Sequence, residues 1–369
     1  MCIATAISTA NCIQAFPNDS DDLLSLLTAL SSANNGSSIS ASPVNQVQSG
    51  LANLSATNST NVTISTVDTS KAFSVCNFRT DIPQPQYVPI CQLTSPTQLQ
   101  ISYQGACCTA NVMVSWYVVE FSSGVSVQRG LQTIPGGTAS QNIGLSTVNT
   151  GKTFALIEAN ANSTATNFDE QMTFTADING STNLLLTRNE TGLPPQVAWQ
   201  VIQMDGATVQ AGATSITGVT SGSAALSSIN VSKAFVVLSV AGAASNNGND
   251  AAQMVRARLS SNNLALNRGA AGGAVDIHYY VVELDGNSNV QQGLTATPMA
   301  STLNMSASPG SSFNNLTAFP FITTTIDNAA QQFDKASYTV EFSGNQLNLN
   351  RAGNGVTSSV EWQVIELSN

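Results

Sequence analysis

The sequence has very little charge and almost no histidine. Only 9% of its 369 residues are Asp, Glu, Lys or Arg, against about a quarter in an ordinary soluble domain. The net charge is −10, so no basic patch is expected that could displace counterions from nucleic acid or bind an anionic membrane. The single histidine, His278, leaves little scope for catalytic triads or imidazole-based metal centres. We therefore expect neither nucleic acid nor membrane among the partners.

Long apolar runs and familiar catalytic motifs are also missing. No stretch of about 18 apolar residues could span a bilayer as a helix. Residues 1–6 carry no basic segment and no apolar run typical of a signal peptide, so we expect none to be cleaved. No P-loop, HExxH or Gly-x-Ser-x-Gly element stands between a strand and a helix. The sequence predicts a non-enzymatic protein with no cofactor, no metal ligands and no catalytic residues.

What the sequence does contain is a fourfold internal repeat, first visible as two aromatic positions. An aromatic residue followed by a pair of β-branched residues recurs every 80 to 83 residues, and a phenylalanine precedes each one by 43 to 45 residues. We expect these side chains to anchor the four cores rather than to stack on a carbohydrate ligand, because the aromatic lies in a continuous apolar strand. The predicted core anchors are Trp116, Trp199, Tyr279 and Trp362, with Phe73, Phe154, Phe235 and Phe319.

Two further markers keep the same register. Val-Gln-x-Gly begins at Val47, Val127, Val209 and Val290. Leu-x-Leu-x-Arg ends at Arg188, Arg268 and Arg351, each 11 residues before its aromatic, whereas the first repeat has no arginine there. Its alternation predicts a strand with one buried and one solvated face.

The repeat unit is typical of a small antiparallel β-sandwich or barrel. In the second repeat we predict strands at 125–133, 141–148, 153–160, 170–178, 183–189 and 196–204, separated by turns rich in Gly, Asn and Pro. The chain is therefore predicted to be all-β, with four tandem modules of about 80 residues. The predicted boundaries are an arm at 1–45 and modules at 46–125, 126–207, 208–288 and 289–369.

The N-terminal arm lies outside the repeat. Residues 21–30 predict one short amphipathic helix, with Asn18, Asp19 and Ser20 as candidate caps. A flexible Ser/Asn-rich connector follows at 31–43. The arm could reach a neighbouring subunit or fold back on the first module, and the sequence favours neither.

All six cysteines lie in the first third of the chain, without the spacing of a zinc site. An even number in a chain without evident chemistry favours disulfides, formed outside a reducing cell. We predict a Cys76–Cys91 bridge, because these residues flank a proline-rich loop that the other repeats lack. The adjacent pair Cys107 and Cys108 cannot easily bond to itself. We predict that these two thiols bond to Cys2 and Cys12, within one chain or between subunits.

Scattered acidic residues were the other candidates for chemistry. The segments 18–22 and 246–250 resemble calcium loops in composition but lack ligand spacing and a closing glutamate, so we interpret them as solvated turns. Glu120, Glu283 and Glu366 recur at the end of the aromatic strand, but the second repeat has Gln203 there. A position that accepts either residue fits a structural role better than a catalytic one.

The order of these motifs is similar to that of known repeat modules. Phe, then Trp-x-Val-[Val/Ile]-Glu, then Val-Gln-x-Gly resembles repeat modules of bacteriophage virion proteins and of uncharacterised bacterial surface proteins. The resemblance covers 46–369 and is best at 259–293 and 344–367. The strand layout also looks like that of the H-type lectin module, but only in strand order, so no sugar-binding residue is carried over.

These observations lead to one expectation and two alternatives. We expect a non-enzymatic structural protein of a virion, such as a capsid decoration, collar or fibre component, whose partners are copies of itself and other virion proteins. The first alternative is a subunit of a microbial extracellular filament or surface layer. The second is a carbohydrate-binding adhesin at the cell surface, with glycans as partners.

Overall fold

Each of the four repeats folds into six strands that form two three-stranded antiparallel sheets. The structure, a computed structural model, describes residues 43–164, 170–246, 248–295, 302–327 and 332–367. We call the repeats modules 1 to 4 in chain order and number the strands β1 to β24. The predicted all-β architecture of tandem modules is confirmed, whereas the helix predicted at 21–30 lies outside the described residues.

Modules 1 and 2 contain strands β1 to β12. Module 1 consists of β1 (Val44–Asn53), β2 (Ser59–Thr63), β3 (Ala72–Arg79), β4 (Ile90–Ser95), β5 (Gln98–Ser102) and β6 (Met113–Phe121). Module 2 consists of β7 (Val125–Thr133), β8 (Ser140–Gly144), β9 (Thr153–Asn160), β10 (Thr175–Ile178), β11 (Asn183–Thr187) and β12 (Gln196–Met204).

Modules 3 and 4 repeat the same order with strands β13 to β24. Module 3 consists of β13 (Ala207–Ile216), β14 (Ser221–Ala225), β15 (Ala234–Gly242), β16 (Val255–Ser260), β17 (Asn263–Arg268) and β18 (Val275–Leu284). Module 4 consists of β19 (Asn289–Leu294), β20 (Asn304–Ala307), β21 (Ala318–Ile326), β22 (Thr339–Ser343), β23 (Gln346–Asn350) and β24 (Ser358–Glu366).

Helical structure in the described residues is confined to short turns. One helix, α1, covers Asp250–Gln253. The 3₁₀ turns are Pro85–Tyr87, Thr150–Lys152, Glu170–Met172, Ala244–Asn246 and Phe333–Ala336. No helix of the described part of the chain is long and apolar enough to cross a membrane.

The sheet topology is the same in every module. The sixth strand lies between the first and the third, and the fifth lies between the second and the fourth. The first strands begin at Val44, Val125, Ala207 and Asn289, within two residues of the predicted module starts. The strand predicted at 170–178 is wrong in its first half, because a 3₁₀ turn at Glu170–Met172 precedes β10. This turn brings the Gln171 carbonyl to the buried guanidinium of Arg188, which a straight strand would not do.

The sixth strand is apolar on both faces because its two faces enter two different cores. In β6, Trp116 and Val118 lie in the core between the two sheets of module 1. The alternating residues Tyr117 and Val119 lie in a central core that all four modules share. Successive side chains of a strand point to opposite faces, so a single strand can hold a module together and attach it to its neighbours.

The centre of the shared core is a set of four phenylalanines, which we call the phenylalanine quartet: Phe73, Phe154, Phe235 and Phe319. The ring centroid of Phe73 lies 6.3 Å from that of Phe154 and 5.5 Å from that of Phe319. The ring centroid of Phe235 lies 5.7 Å from that of Phe154 and 6.4 Å from that of Phe319. All four pairs are edge-to-face, the favourable geometry for aromatic rings. The four modules therefore contact one another in a closed circuit rather than in a linear array.

The residue that follows the strand aromatic makes the junctions between modules, and it alternates around the circuit. Gln200 of module 2 exchanges two 2.9 Å hydrogen bonds with the backbone of Ser74 in module 1. Gln363 makes the equivalent pair of hydrogen bonds with the backbone of Val236, at 2.7 and 3.0 Å, between modules 4 and 3. In modules 1 and 3 the residue is tyrosine, whose hydroxyl donates to a backbone carbonyl of the other neighbouring module. Tyr117 donates to Val340 of module 4, and Tyr280 donates to Ala176 of module 2.

Candidate functional site

The predicted core anchors occupy equivalent positions in the four modules. The quartet phenylalanines are at most 1% exposed, and Trp116, Tyr279 and Trp362 are buried. Trp199 is only half-buried, at the edge of the shared core. Each strand aromatic lies directly across from the glycine of Val-Gln-x-Gly, as in the pairs Gly50–Trp116 and Gly130–Trp199. The glycine leaves room for the ring, so the two sequence markers are halves of one packing contact.

The glutamine of Val-Gln-x-Gly fastens the loop before the third strand. In module 1 the Gln48 amide donates to the Ser65 carbonyl at 3.0 Å and accepts from the Ser65 backbone amide at 2.6 Å. The same two-way contact is made by Gln128 with Ser146, Gln210 with Ser227 and Gln291 with Ser311. The marker glutamines therefore bind the protein's own backbone.

The recurring acidic position serves the fold as well. Glu283 accepts a hydrogen bond from the backbone amide of Asn230 at 2.8 Å, and Glu366 accepts one from Asn314 at 2.8 Å. Gln203 accepts the equivalent bond from Asn149 through its amide oxygen. Because only an acceptor is needed, glutamine replaces glutamate without loss of the contact.

The arginine of Leu-x-Leu-x-Arg is buried, on the same face of its strand as the two leucines. Arg188, Arg268 and Arg351 are 1%, 3% and 2% exposed. Arg268 donates to the carbonyls of Val219, Ala252, Gly272 and Gly273 at 2.8–3.1 Å. Arg188 and Arg351 donate to the corresponding loops of modules 2 and 4. The guanidinium thus satisfies loop carbonyls that would otherwise be buried without donors.

The calcium-like segment 246–250 also has a structural role where it is described. Asn249 caps α1 by accepting from the Ala252 backbone amide, and Asp250 accepts from the Phe333 backbone amide at 2.8 Å. The other calcium-like segment, 18–22, lies outside the described residues.

The predicted disulfide is confirmed. Cys76 of β3 and Cys91 of β4 are bonded, with their Cα atoms 6.5 Å apart. It joins the two sheets of module 1. Cys107 and Cys108 are exposed and form no bridge within the described residues. Their predicted partners Cys2 and Cys12 lie outside the described residues, so this pairing stays a prediction.

The disulfide lines a cavity of about 170 Å³ at the junction of the four modules. Its walls are formed mainly by the four strands that carry the phenylalanine quartet, β3, β9, β15 and β21, together with Cys91 of β4 and with Ala198 and Gln200 of β12. The walls are mixed: apolar residues such as Leu156, Val237 and Phe321 are more numerous, but polar atoms form about half of the wall surface. Asn77 also lines the cavity, and its Nδ2 atom is buried without a hydrogen-bond partner in the described structure. The cavity is the candidate functional site, because chemically distinctive groups converge there.

Glu158 is the acidic residue of this cavity. Its carboxylate accepts a 2.6 Å hydrogen bond from the Cys91 backbone amide. Burial raises the pKa of Glu158 to about 8, and the hydrogen bond from Cys91 opposes this rise. One carboxylate oxygen of Glu158 and the sulfurs of Cys76 and Cys91 lie within 4.8 Å of one another. As a disulfide the two sulfurs are not thiolates, so this group can hold a metal ion only when reduced.

Glu158 could not be predicted as a site residue because it belongs to no repeat marker. Its counterparts, four residues after each quartet phenylalanine, are Asn77, Ser239 and Thr323. Only the closed circuit of modules brings a residue of β9 beside a disulfide between β3 and β4. The one available signal was that Glu158 is acidic, whereas the equivalent residues of the other three modules are neutral.

Comparison with known proteins identifies no family. No protein-family model and no curated protein matches the chain. Among solved structures, the N-terminal domain of the Streptococcus gordonii adhesin Sgo0707 is similar over 90% of this chain and 88% of that one. The sequence identity is 13% and the TM-score 0.16. A TM-score this low does not establish a shared fold, so nothing is inferred from it about function.

Proposed function

We propose that the chain is a non-enzymatic structural component of an extracellular assembly, in the first instance a phage virion. The observation that carries this proposal is the use of the recurring residues. The aromatic–glycine pair, the glutamine clamp, the glutamate acceptor and the buried arginine all contact the protein itself. A repeat of this kind conserves a building unit and leaves its surface free to vary. This is what a scaffold requires.

The disulfide and the surface composition support an extracellular location. A disulfide such as Cys76–Cys91 persists in an oxidising environment and is rare in a reducing cytosol. The surface contains few charged residues, and side chains such as Asn, Ser and Thr lose less rotamer entropy than Lys or Glu when a neighbour orders them. Such a surface suits permanent contacts with copies of the chain and with other subunits.

Within a virion, a capsid decoration, collar or fibre component fits this description. A filament or surface-layer subunit would have the same properties, and a carbohydrate-binding adhesin would add glycan contacts on the module surfaces. Cys107 and Cys108 are exposed and thus accessible to another subunit or to the N-terminal arm.

The test is the composition of purified particles. Quantitative mass spectrometry should find the chain in virions at a fixed, stoichiometric copy number after gradient purification. Its absence from particles, together with recovery in a cell-surface or filament fraction, would overturn the virion assignment in favour of the first alternative. Selective retention on a glycan array would favour the adhesin.

Covalent linkage within the assembly can be tested in the same material. Non-reducing electrophoresis should show either a ladder, if Cys107 and Cys108 join neighbouring subunits, or a monomer with protected thiols, if they bond to the arm of their own chain. Alkylation of both residues in the intact assembly would exclude the predicted pairing with Cys2 and Cys12.

A further inference from the structure

We propose that the reduced protein binds one thiophilic divalent cation, Zn²⁺ in the first instance, through Cys76, Cys91 and Glu158. Oxidation to the disulfide then releases the ion. This inference concerns the chemistry of the central cavity and does not rest on the proposed function.

The three ligand atoms are already grouped. The two sulfurs and one carboxylate oxygen lie within 4.8 Å of one another. Tetrahedral zinc takes Zn–S bonds of about 2.3 Å and Zn–O bonds of about 2.0–2.2 Å. Atoms bound to one such ion are therefore separated by somewhat less than 4.8 Å. After reduction the two sulfurs would separate to these positions by side-chain rotation, while β3, β4 and β9 stay where they are.

The cavity supplies the space that an ion needs. It holds about 170 Å³ and is lined by all three proposed ligands, whereas one water molecule occupies about 30 Å³ of bulk liquid. The cavity therefore offers more space than an ion with one bound water needs. The remaining space admits a water as fourth ligand, as in zinc sites with three protein ligands.

Neighbouring groups would orient this site. The backbone amide of Cys91 holds one Glu158 oxygen at 2.6 Å, which fixes the carboxylate beside the sulfurs. Hydrogen bonds to a ligating carboxylate are typical of zinc sites and strengthen them. The amide of Asn77 lines the same cavity and has no partner for its Nδ2 atom in the described structure. It is therefore available to a metal-bound water.

The chemistry balances with a small thiol as reductant. Two thiol molecules reduce the disulfide to two cysteine thiols and leave as their own disulfide. Binding of Zn²⁺ then displaces the protons of the two cysteine thiols and, where the Glu158 carboxyl is protonated, its proton as well; this third proton is taken up again from solvent when the ion leaves. In the reverse direction a small-molecule disulfide takes two electrons from the zinc-bound thiolates and becomes two thiols with two protons from solvent. The Cys76–Cys91 bond forms, and Zn²⁺ leaves.

Such a site would give β3 and β4 the same cross-link in both redox environments. In a reducing cytosol the ion would join the two strands, and in an oxidising medium the disulfide would replace it. A chain synthesised in one compartment and used in another would never lack the link between the two sheets of module 1.

The experiment is a Co²⁺ titration of the full-length chain in which Cys2, Cys12, Cys107 and Cys108 are replaced by serine. The protein is reduced with a phosphine, which contributes no thiol ligand, and Co²⁺ is added anaerobically. We expect a near-ultraviolet thiolate-to-cobalt band and visible bands of tetrahedral Co²⁺ that saturate at one equivalent. Zn²⁺ should displace the ion and remove these bands.

Variants separate the ligands. Cys76→Ser leaves one sulfur ligand, so the intensity of the thiolate-to-cobalt band should fall to half or less. Glu158→Gln keeps both thiolates and should weaken Co²⁺ binding roughly tenfold or more. Glu283→Gln, at the half-buried acceptor position of module 3, is the matched control and should bind as the parent does.

Circular dichroism checks the folding of every reduced variant. A reduced protein that folds only when Zn²⁺ is added, and does so only with both cysteines present, would also support the site. The proposal is overturned if the folded, reduced protein shows no thiolate–cobalt band, if Cys76→Ser retains the full band, or if Zn²⁺ neither binds nor restores folding. Equal binding by the oxidised protein would overturn it as well.

Discussion

Gly50 lies directly opposite Trp116 on the neighbouring strand, and a Cβ atom added to it would come within 2.7 Å of the indole Cζ2. Real Cβ atoms do not approach other atoms that closely, so no larger residue fits without displacing the ring. The same pairing recurs in all four modules. A glycine and an aromatic 66 to 69 residues apart in sequence are therefore one structural unit.

Replacing this glycine should destabilise the protein. Gly50→Ala forces the Trp116 ring out of its position, and overpacking of this kind costs about 1–3 kcal/mol in free energy of unfolding. Chemical denaturation of the full-length chain measures the difference. Gly144→Ala is the control, because a Cβ at Gly144 meets no atom within 4 Å and should change stability by less than about 0.5 kcal/mol. Equal effects of the two substitutions would contradict the packing argument.

The buried arginine should tolerate no other cation. Arg268→Lys removes the planar fork that reaches four loop carbonyls, and it leaves at least two of them without a donor. We expect a loss of about 3 kcal/mol, measured by denaturation. The exposed Arg258 provides the matched control, since Arg258→Lys should cost less than about 0.5 kcal/mol. An Arg268→Lys variant as stable as the parent would show that the carbonyls do not depend on the guanidinium.

Substitutions of Glu366, the acceptor at the end of the sixth strand, should show whether this position stabilises the fold through its hydrogen bond or through its charge. Glu366→Gln keeps an oxygen for the Asn314 backbone amide, as Gln203 does for Asn149, and should leave stability nearly unchanged. Glu366→Ala removes the acceptor and should cost about 1 kcal/mol. Thermal unfolding of both variants decides between them. A loss in Glu366→Gln as large as in Glu366→Ala would mean that the negative charge itself is required.

The repeat allowed much of the fold to be predicted from the sequence. In module 2 the strands predicted at 125–133, 153–160 and 196–204 coincide with β7, β9 and β12. These are long strands with strong apolar patterns, and each of the three contains a marker that recurs in all four repeats, which defines its register. The 3₁₀ turn at Glu170–Met172 was missed, because its shape is set by hydrogen bonds to Arg188 and not by local periodicity.

The arrangement of the modules and the cavity could not be predicted in this way. Successive phenylalanines of the quartet are 81 to 84 residues apart, but closure of the circuit depends on the contact between Phe73 and Phe319, which are 246 residues apart. No periodic pattern encodes which modules touch. The alternation of glutamine and tyrosine after the strand aromatic was visible in the sequence, and the structure shows that it distinguishes two kinds of junction. Glu158 belongs to no marker, so its position beside the disulfide needed the fold.

The raised pKa of Glu158 makes stability depend on pH. The folded carboxyl keeps its proton up to about pH 8, whereas the ordinary value is 4.5, so the folded state binds more protons between these values. The free energy of unfolding should therefore fall as pH rises through this window. Glu158→Gln removes the titrating group and still accepts from Cys91, so it should be more stable than the parent at about pH 9.

The comparison is made by denaturation of the oxidised protein at several pH values. At about pH 5 the advantage of Glu158→Gln should nearly disappear, because Glu158 is then protonated in the folded state. A difference between the two proteins that stays constant with pH would show that Glu158 is ionised throughout.

The central claim is that the four modules form one cooperative body held together by the phenylalanine quartet and the junctions between modules. Differential scanning calorimetry of the full-length oxidised chain tests it most directly. We predict one unfolding transition for the modules, with a calorimetric enthalpy equal to the van't Hoff enthalpy. Several separate transitions, or a calorimetric enthalpy about four times the van't Hoff value, would show that the modules unfold independently and would contradict the account.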